Sequence, residues 1–233
     1  MEPRLSRPDP FRGLRVAITG GTSGLGLALV DALTARGARV AFVARSADRV
    51  RETAARTGAH GIVGDVAAKS DIHRIALQVL GLLGGLDVLV NNASSLGPVP
   101  LRPLADTDCE DFERVLAANL VGPFRLTKAL LGALAGRGLV VNIGSDAGIA
   151  AYANWGAYGA SKAALAHMTR IWDAEVEEHG IRMTCIDPGD MDTPMHALAL
   201  PDADRAALAR PDDAARAICA IVEASVAHEA AAA

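Results

Sequence analysis

Hydrophobic positions along the chain gather into short, nearly continuous runs, separated by longer stretches of helical periodicity. LRVAITG (14–20), ARVAFVA (38–44), LDVLVNN (86–92), LVVNIGS (139–145) and IRMTCIDP (181–188) are the clear runs, and HGIVGD (60–65) is a weaker one. They lack the polar–apolar alternation of a half-exposed strand. Each therefore predicts a strand buried on both faces, as in a parallel sheet covered by helices on either side. Helices are predicted over about 24–36 (stopped by Gly37), 47–57, the segment up to Leu83, 106–135 with a break near Gly122-Pro123, and 155–179. After Pro211 comes one more helix, PDDAARAICAIVEASVAH, then EAAAA. Six strands are counted, with no internal repeat and no second domain. Residues 1–12, with three prolines and three arginines, predict a flexible leader ahead of a single domain over 13–233.

Composition supports this picture. The chain is 51% hydrophobic but only 3% aromatic, so the apolar bulk is Ala, Val and Leu, suited to helices packed on a buried sheet. The net charge is −4 and there is no basic run, so no nucleic-acid surface is expected. No stretch approaches the ~18 apolar residues of a membrane span, and MEPRLSRPDPFRG lacks the apolar segment of a signal peptide. Cys109, Cys185 and Cys219 are scattered, which predicts buried thiols rather than disulfides or metal ligands. A soluble, cytoplasmic, metal-free protein is expected.

Between the first strand and first helix lies TGGTSGLG (19–26). Its Gly20, Gly24 and Gly26 let the backbone approach a ligand closely. The following helix N-terminus offers free N–H groups and the positive end of a dipole, which suits a pyrophosphate. Thr22 and Ser23 add hydroxyl donors, and Leu25 sits in the same turn. A tight turn with no ligand is the plainer alternative. At the end of the second strand an acidic residue would bind the ribose 2′-hydroxyl of NAD. The sequence there is Ala44-Arg45-Ser46. A guanidinium suits a 2′-phosphate, so NADP(H) is expected in preference to NAD(H); the alternative is a solvated arginine. Asp65 and Val66, ending the third strand, suit the adenine edge, with a helix cap as the other reading of Asp65.

TGGTSGLG, Asp65, NNAS (91–94), Asn119 in AANLVGPF, Ser145 in NIGS, YGASK (158–162) and PGDMDTP (188–194) follow one another in a fixed order after the expected elements. In this the chain resembles the short-chain dehydrogenase/reductase family in its compact single-domain form, over roughly 13–195. The resemblance implies a doubly wound Rossmann-type sheet, a nicotinamide cofactor, and interconversion of a carbonyl and a secondary alcohol. Tyr158 would act as general acid/base, and Lys162, one helical turn later, would favour its phenolate. The resemblance also gives Lys162 the nicotinamide ribose, Ser145 the substrate oxygen, and Asn119 a water that links the lysine to solvent. It places Asn91, Ala93, Pro188, Gly189, Met191 and Thr193 along the cofactor. Taken singly, these residues also read as packing, capping or solvated groups.

The substrate side is expected among 94–104, 146–156 and 190–210. Leu96, Ile149, Tyr152, Trp155 and Met195 supply apolar walls, with Asp146, Asp190 and His196 as polar options. A small or medium, largely apolar carbonyl compound is the expected substrate. Family members usually carry a seventh strand, whereas this chain ends in a helical tail. The sheet is thus expected to have six strands, or seven if another completes it, with the sixth at an edge unless a partner or the tail covers it. Self-association as a homodimer or homotetramer is expected. The competing function is a non-catalytic nucleotide sensor on the same fold. A sugar-nucleotide epimerase is disfavoured because only 40 residues follow Thr193.

Overall fold

The computed structural model describes residues 9–134 and 136–232. Six strands, β1 (Arg15–Thr19), β2 (Arg39–Ala44), β3 (His60–Val63), β4 (Val88–Asn91), β5 (Gly138–Ile143) and β6 (Ile181–Ile186), form one sheet in the order β3-β2-β1-β4-β5-β6. Every neighbouring pair is parallel. The helices are α1 (Gly24–Ala35), α2 (Ala47–Thr57), α3 (Lys69–Leu83), α4 (Cys109–Leu116), α5 (Gly122–Leu134), α6 (Gly156–Val176), α7 (Pro194–Ala199) and α8 (Pro211–Ala232). This is the doubly wound, Rossmann-type α/β sheet expected from the sequence.

The apolar runs divide residue by residue between two layers, because successive side chains of a strand point to opposite faces. Val16 and Ile18 of β1 join Leu29 and Leu33 of α1 and Ile218 and Val222 of α8. Ala17, between them, joins Ile75 and Val79 of α3 and Leu126 and Leu130 of α5 on the other face. From β1 the chain winds outward through β2 and β3, then returns to lay β4 on the other side of β1. Successive connections leave in opposite directions at that point, and a crevice opens beyond the C-terminal ends of β1 and β4.

Three expectations need correction. Residues 1–8 of the expected leader lie outside the described residues, but residues 9–12 belong to the packed body. Phe11 is 1% exposed in the α1–α8 layer, and the Arg36 guanidinium stands 4.0 Å from its ring centre. The predicted 106–135 helix is two helices joined by a π-helical stretch, Ala117–Val121, rather than one broken at Gly122-Pro123. Pro123 has no N–H to give the Asn119 carbonyl four residues earlier, and the helix widens just before it. The sheet has the six strands expected from the sequence, with no seventh among the described residues; β6 pairs only with β5, at the expected edge, and α8 packs on α1 rather than on that edge. All three cysteines are free, as expected, but Cys109 is exposed.

Candidate active site

A cleft of about 1130 Å³ occupies the crevice. Its floor is the junction of β1 and β4. The buried Thr19 hydroxyl accepts the N–H groups of Asn92 and Ala93, both at 3.0 Å, and Asn92 Nδ2 donates back to the Thr19 carbonyl at 2.9 Å. Gly20, Thr22, Ser23, Gly24 and Leu25 line the cleft above it. Ser23 is the N-cap of α1, yet its side chain makes no capping bond and the first turn holds no acid. The free N–H groups of that turn are thus left for an anion. Gly24 has φ +50, and a Cβ there would lie 3.2 Å from Thr193 Cγ2, so glycine lets the loop close against the far wall. Gly26 does not line the cleft. A Cβ on it would stand 2.2 Å from the Gly20 carbonyl oxygen, so it serves the close packing of the turn.

At one end the walls are Arg45, Ser46, Arg49, Asp65 and Val66. Ser46 caps α2, its hydroxyl accepting the Arg49 N–H at 3.4 Å. Arg45 precedes α2 and Arg49 lies in its first turn, so this wall carries two guanidinium groups rather than the one expected from the sequence. Asp65 does not cap α3, whose N-cap is Ala68. Its carboxylate instead accepts the Ala67 N–H at 2.9 Å and orders the turn before the helix. Ala93 lines the cleft, but Asn91 does not. The Asn91 side chain is buried under α5 and α6, donating to Thr127 Oγ1 at 3.1 Å and Asn142 Oδ1 at 2.8 Å. Asn92, part of the NNAS motif but without an expected cofactor contact, lines the cleft in its place. Counting by twos from Leu89, which faces the α3–α5 layer, puts Asn91 on that same buried face.

At the other end Ser145, Tyr158 and Lys162 converge. Ser145 follows β5; Tyr158 and Lys162 share one face of α6. Lys162 is 3% exposed, its Nζ donates to the Ile143 carbonyl at 2.7 Å, and it lies 5.5 Å from the Tyr158 ring centre. Burial pushes its ammonium down to about 8, with Cys185 and Asp187 opposing. Burial likewise pushes the Tyr158 phenol above its ordinary value, against the nearby hydroxyls of Ser145 and Ser94. Desolvation of the phenolate sets that direction.

Asn119 stands behind the cleft rather than in its lining. Its Oδ1 accepts the Ser95 N–H at 2.7 Å and the Ser94 hydroxyl at 3.2 Å; its Nδ2 donates to the Ser95 carbonyl at 2.9 Å and Ser161 Oγ at 3.0 Å. Both amide protons are thereby used.

Leu96, Trp155 and Met195 line the cleft, as do Pro188, Gly189, Met191, Thr193 and His196. Two expected wall residues do not. Ile149 is 92% exposed and Tyr152 49% exposed. Tyr152 stands outside with its ring edge-on to Trp155, which is in turn edge-on to Tyr158. The flap carrying Met195 and His196 is pinned at its base by a bridge between Met191 and Ala209 and an ion pair from Arg205 to Asp192 at 2.8 Å.

A model of the family described as short chain dehydrogenase matches residues 15–204. The 2-(R)-hydroxypropyl-CoM dehydrogenase of Xanthobacter autotrophicus is 38% identical over 191 residues, covering 78% of this chain and 76% of that one. The L-fucose dehydrogenase of Mus musculus is 33% identical over 187 residues, covering 79% of this chain and 68% of its own. A short chain dehydrogenase from Burkholderia cenocepacia, solved in complex with NADP, superposes with a TM-score of 0.83 at 28% identity, covering 91% of both chains.

Proposed function

The chain belongs to the short chain dehydrogenase family, and we propose that, as an oxidoreductase of that family, it interconverts a ketone and a secondary alcohol with NADP(H). The observation that carries this reading is the meeting of Ser145, Tyr158 and Lys162 at one end of a cleft whose middle is an uncapped helix N-terminus. Relatives named for dehydrogenation of 2-(R)-hydroxypropyl-CoM and L-fucose support chemistry at a hydroxyl-bearing carbon.

The chain offers a nicotinamide dinucleotide suitable partners. The first turn of α1 with Thr22 and Ser23 would hold the pyrophosphate, and Asp65 and Val66 the adenine. Arg45 and Arg49 would hold a 2′-phosphate, and the absence of an acid at position 44 removes the usual partner of an NAD ribose. The bound nicotinamide would supply or accept the hydride. Lys162 spends one of its three N–H groups on Ile143 and keeps two for ribose hydroxyls. Tyr158, protonated near neutral pH, donates to the substrate oxygen in reduction; oxidation requires its phenolate, which takes the proton of the alcohol. Asn119 has no amide proton left for a water, so a relay past it runs through its main-chain carbonyl, which Pro123 deprives of the usual helical donor.

The test is a screen of NADPH and NADH oxidation against ketones and aldehydes, and of the reverse reaction against secondary alcohols. Tyr158→Phe lowers turnover about 10²-fold or more while cofactor binding persists. Full turnover in that variant sinks the mechanism. Arg45→Asp shifts preference from NADPH toward NADH, and an unchanged ratio removes the 2′-phosphate role. We also propose a homodimer or homotetramer, since Phe124 on α5 and Ile171 on α6 leave apolar surface on neighbouring helices. Light scattering that gives a monomer mass at micromolar concentration contradicts it.

A further inference from the structure

Ser145 does not turn a free hydroxyl proton toward the cleft. Its Oγ–H donates to Asp146 Oδ1 at 3.1 Å, and its Oγ accepts the Ala147 N–H at 3.2 Å. The other oxygen of Asp146 accepts the Tyr152 hydroxyl at 2.7 Å. That bond, more than any other cause, holds the Asp146 carboxyl below its ordinary range, with Ser145 adding to it. Asp146 is therefore ionised near neutral pH and can only accept. A serine hydroxyl has one proton, and a charged acceptor holds it more firmly than a neutral one. What remains to Ser145 on the cleft side is a lone pair.

We propose that Asp146 is a positioning residue which, acting through Ser145, makes the cleft bind the hydroxyl form of its substrate in preference to the carbonyl form. An alcohol brings an O–H that Ser145 accepts while its oxygen accepts from Tyr158. A ketone oxygen is an acceptor only; it is served by Tyr158 and meets a second acceptor in Ser145. To serve the ketone, Ser145 must first give up Asp146. Tyr152 is the counterweight. By sharing the carboxylate from outside the cleft it weakens the hold of Asp146 on the serine. This inference rests on reading the cleft as an alcohol–ketone site.

The experiment uses Tyr158→Phe protein with NADP+ bound, in which neither ligand is converted, so both bind the same state. Dissociation constants of cyclohexanol and cyclohexanone are measured by ligand-observed NMR. The alcohol binds more tightly in this background. Adding Asp146→Ala reduces the preference about five- to tenfold, the worth of one hydrogen bond, and Asp146→Asn moves it the same way. Adding Tyr152→Phe instead, which leaves the carboxylate to Ser145 alone, moves it the opposite way. A purely structural role would weaken both ligands together, and equal changes in the two constants overturn the proposal. Failure of either ligand to bind overturns the alcohol–ketone reading of the site, and persistent turnover in Tyr158→Phe overturns the role of Tyr158, so these failures are distinct from that of the proposal.

Discussion

Lys162 is the residue on which burial acts most directly, its ammonium pushed from the ordinary 10.5 down to about 8. The sign of the effect on stability follows. Between about 8 and 10.5 the unfolded chain holds a proton that the folded chain has lost, so stability rises with pH across that window. Below about 8 both states are protonated, and the cost of burying the charge is fully present. Wild type should gain on the order of 2 kcal/mol over Lys162→Met between pH 8 and pH 10 in denaturant titrations, where other groups titrate alike in both proteins. Parallel pH profiles would remove burial as the cause. The pairing of Lys162 with Tyr158 was legible in the sequence because a four-residue spacing on a helix is local geometry. The state of Tyr158 was not, because desolvation depends on what α6, the Ser145 loop and Ser94 bring around it.

At the scale of elements, the buried amides behind the cleft matter most. Asn91 on β4 donates to Asn142 on β5, whose Nδ2 donates to Thr169 of α6 at 2.9 Å. This chain joins the two strands that end at the cleft to the helix carrying Tyr158 and Lys162. Thr169→Val keeps the shape but leaves an amide N–H of Asn142 buried without that acceptor. A loss of about 1–3 kcal/mol is expected in thermal or denaturant unfolding, and unchanged stability would show that the network is not needed. The strands themselves were legible, since strands covered on both faces are apolar at most positions; exposed residues such as His60 and Arg182 sit on the edge strands β3 and β6. The π-helical stretch was not: Pro123 announces a break, but whether a helix ends or widens depends on what packs against it. Here Gly122 does so closely, since a Cβ on it would lie 2.7 Å from the Val66 carbonyl. The alternation along β4 already separated Asn91 from the cleft, a distinction a motif match does not carry.

For the whole molecule, the body begins earlier than composition suggested. Asp9 and Glu223 each ion-pair with Arg36 at 3.0 Å, tying the entry segment, the end of α1 and the terminal helix together over Phe11. Phe11→Ala should cost about 3–5 kcal/mol, read as a lowered midpoint of unfolding, whereas a true leader would tolerate it. No helix among the described residues is long and apolar enough to cross a membrane. The flap carrying Met195 and His196 leaves the body and returns to it at one point, where Met191 bridges Ala209. It is thus a cassette with both ends fastened side by side. Its length and lining can change while β6 and α8 stay where they are, and even doubling it adds only about 0.6 kcal/mol of closure entropy. A new lining can therefore be grafted onto this scaffold between two fixed residues, with Ser145, Tyr158 and Lys162 left untouched.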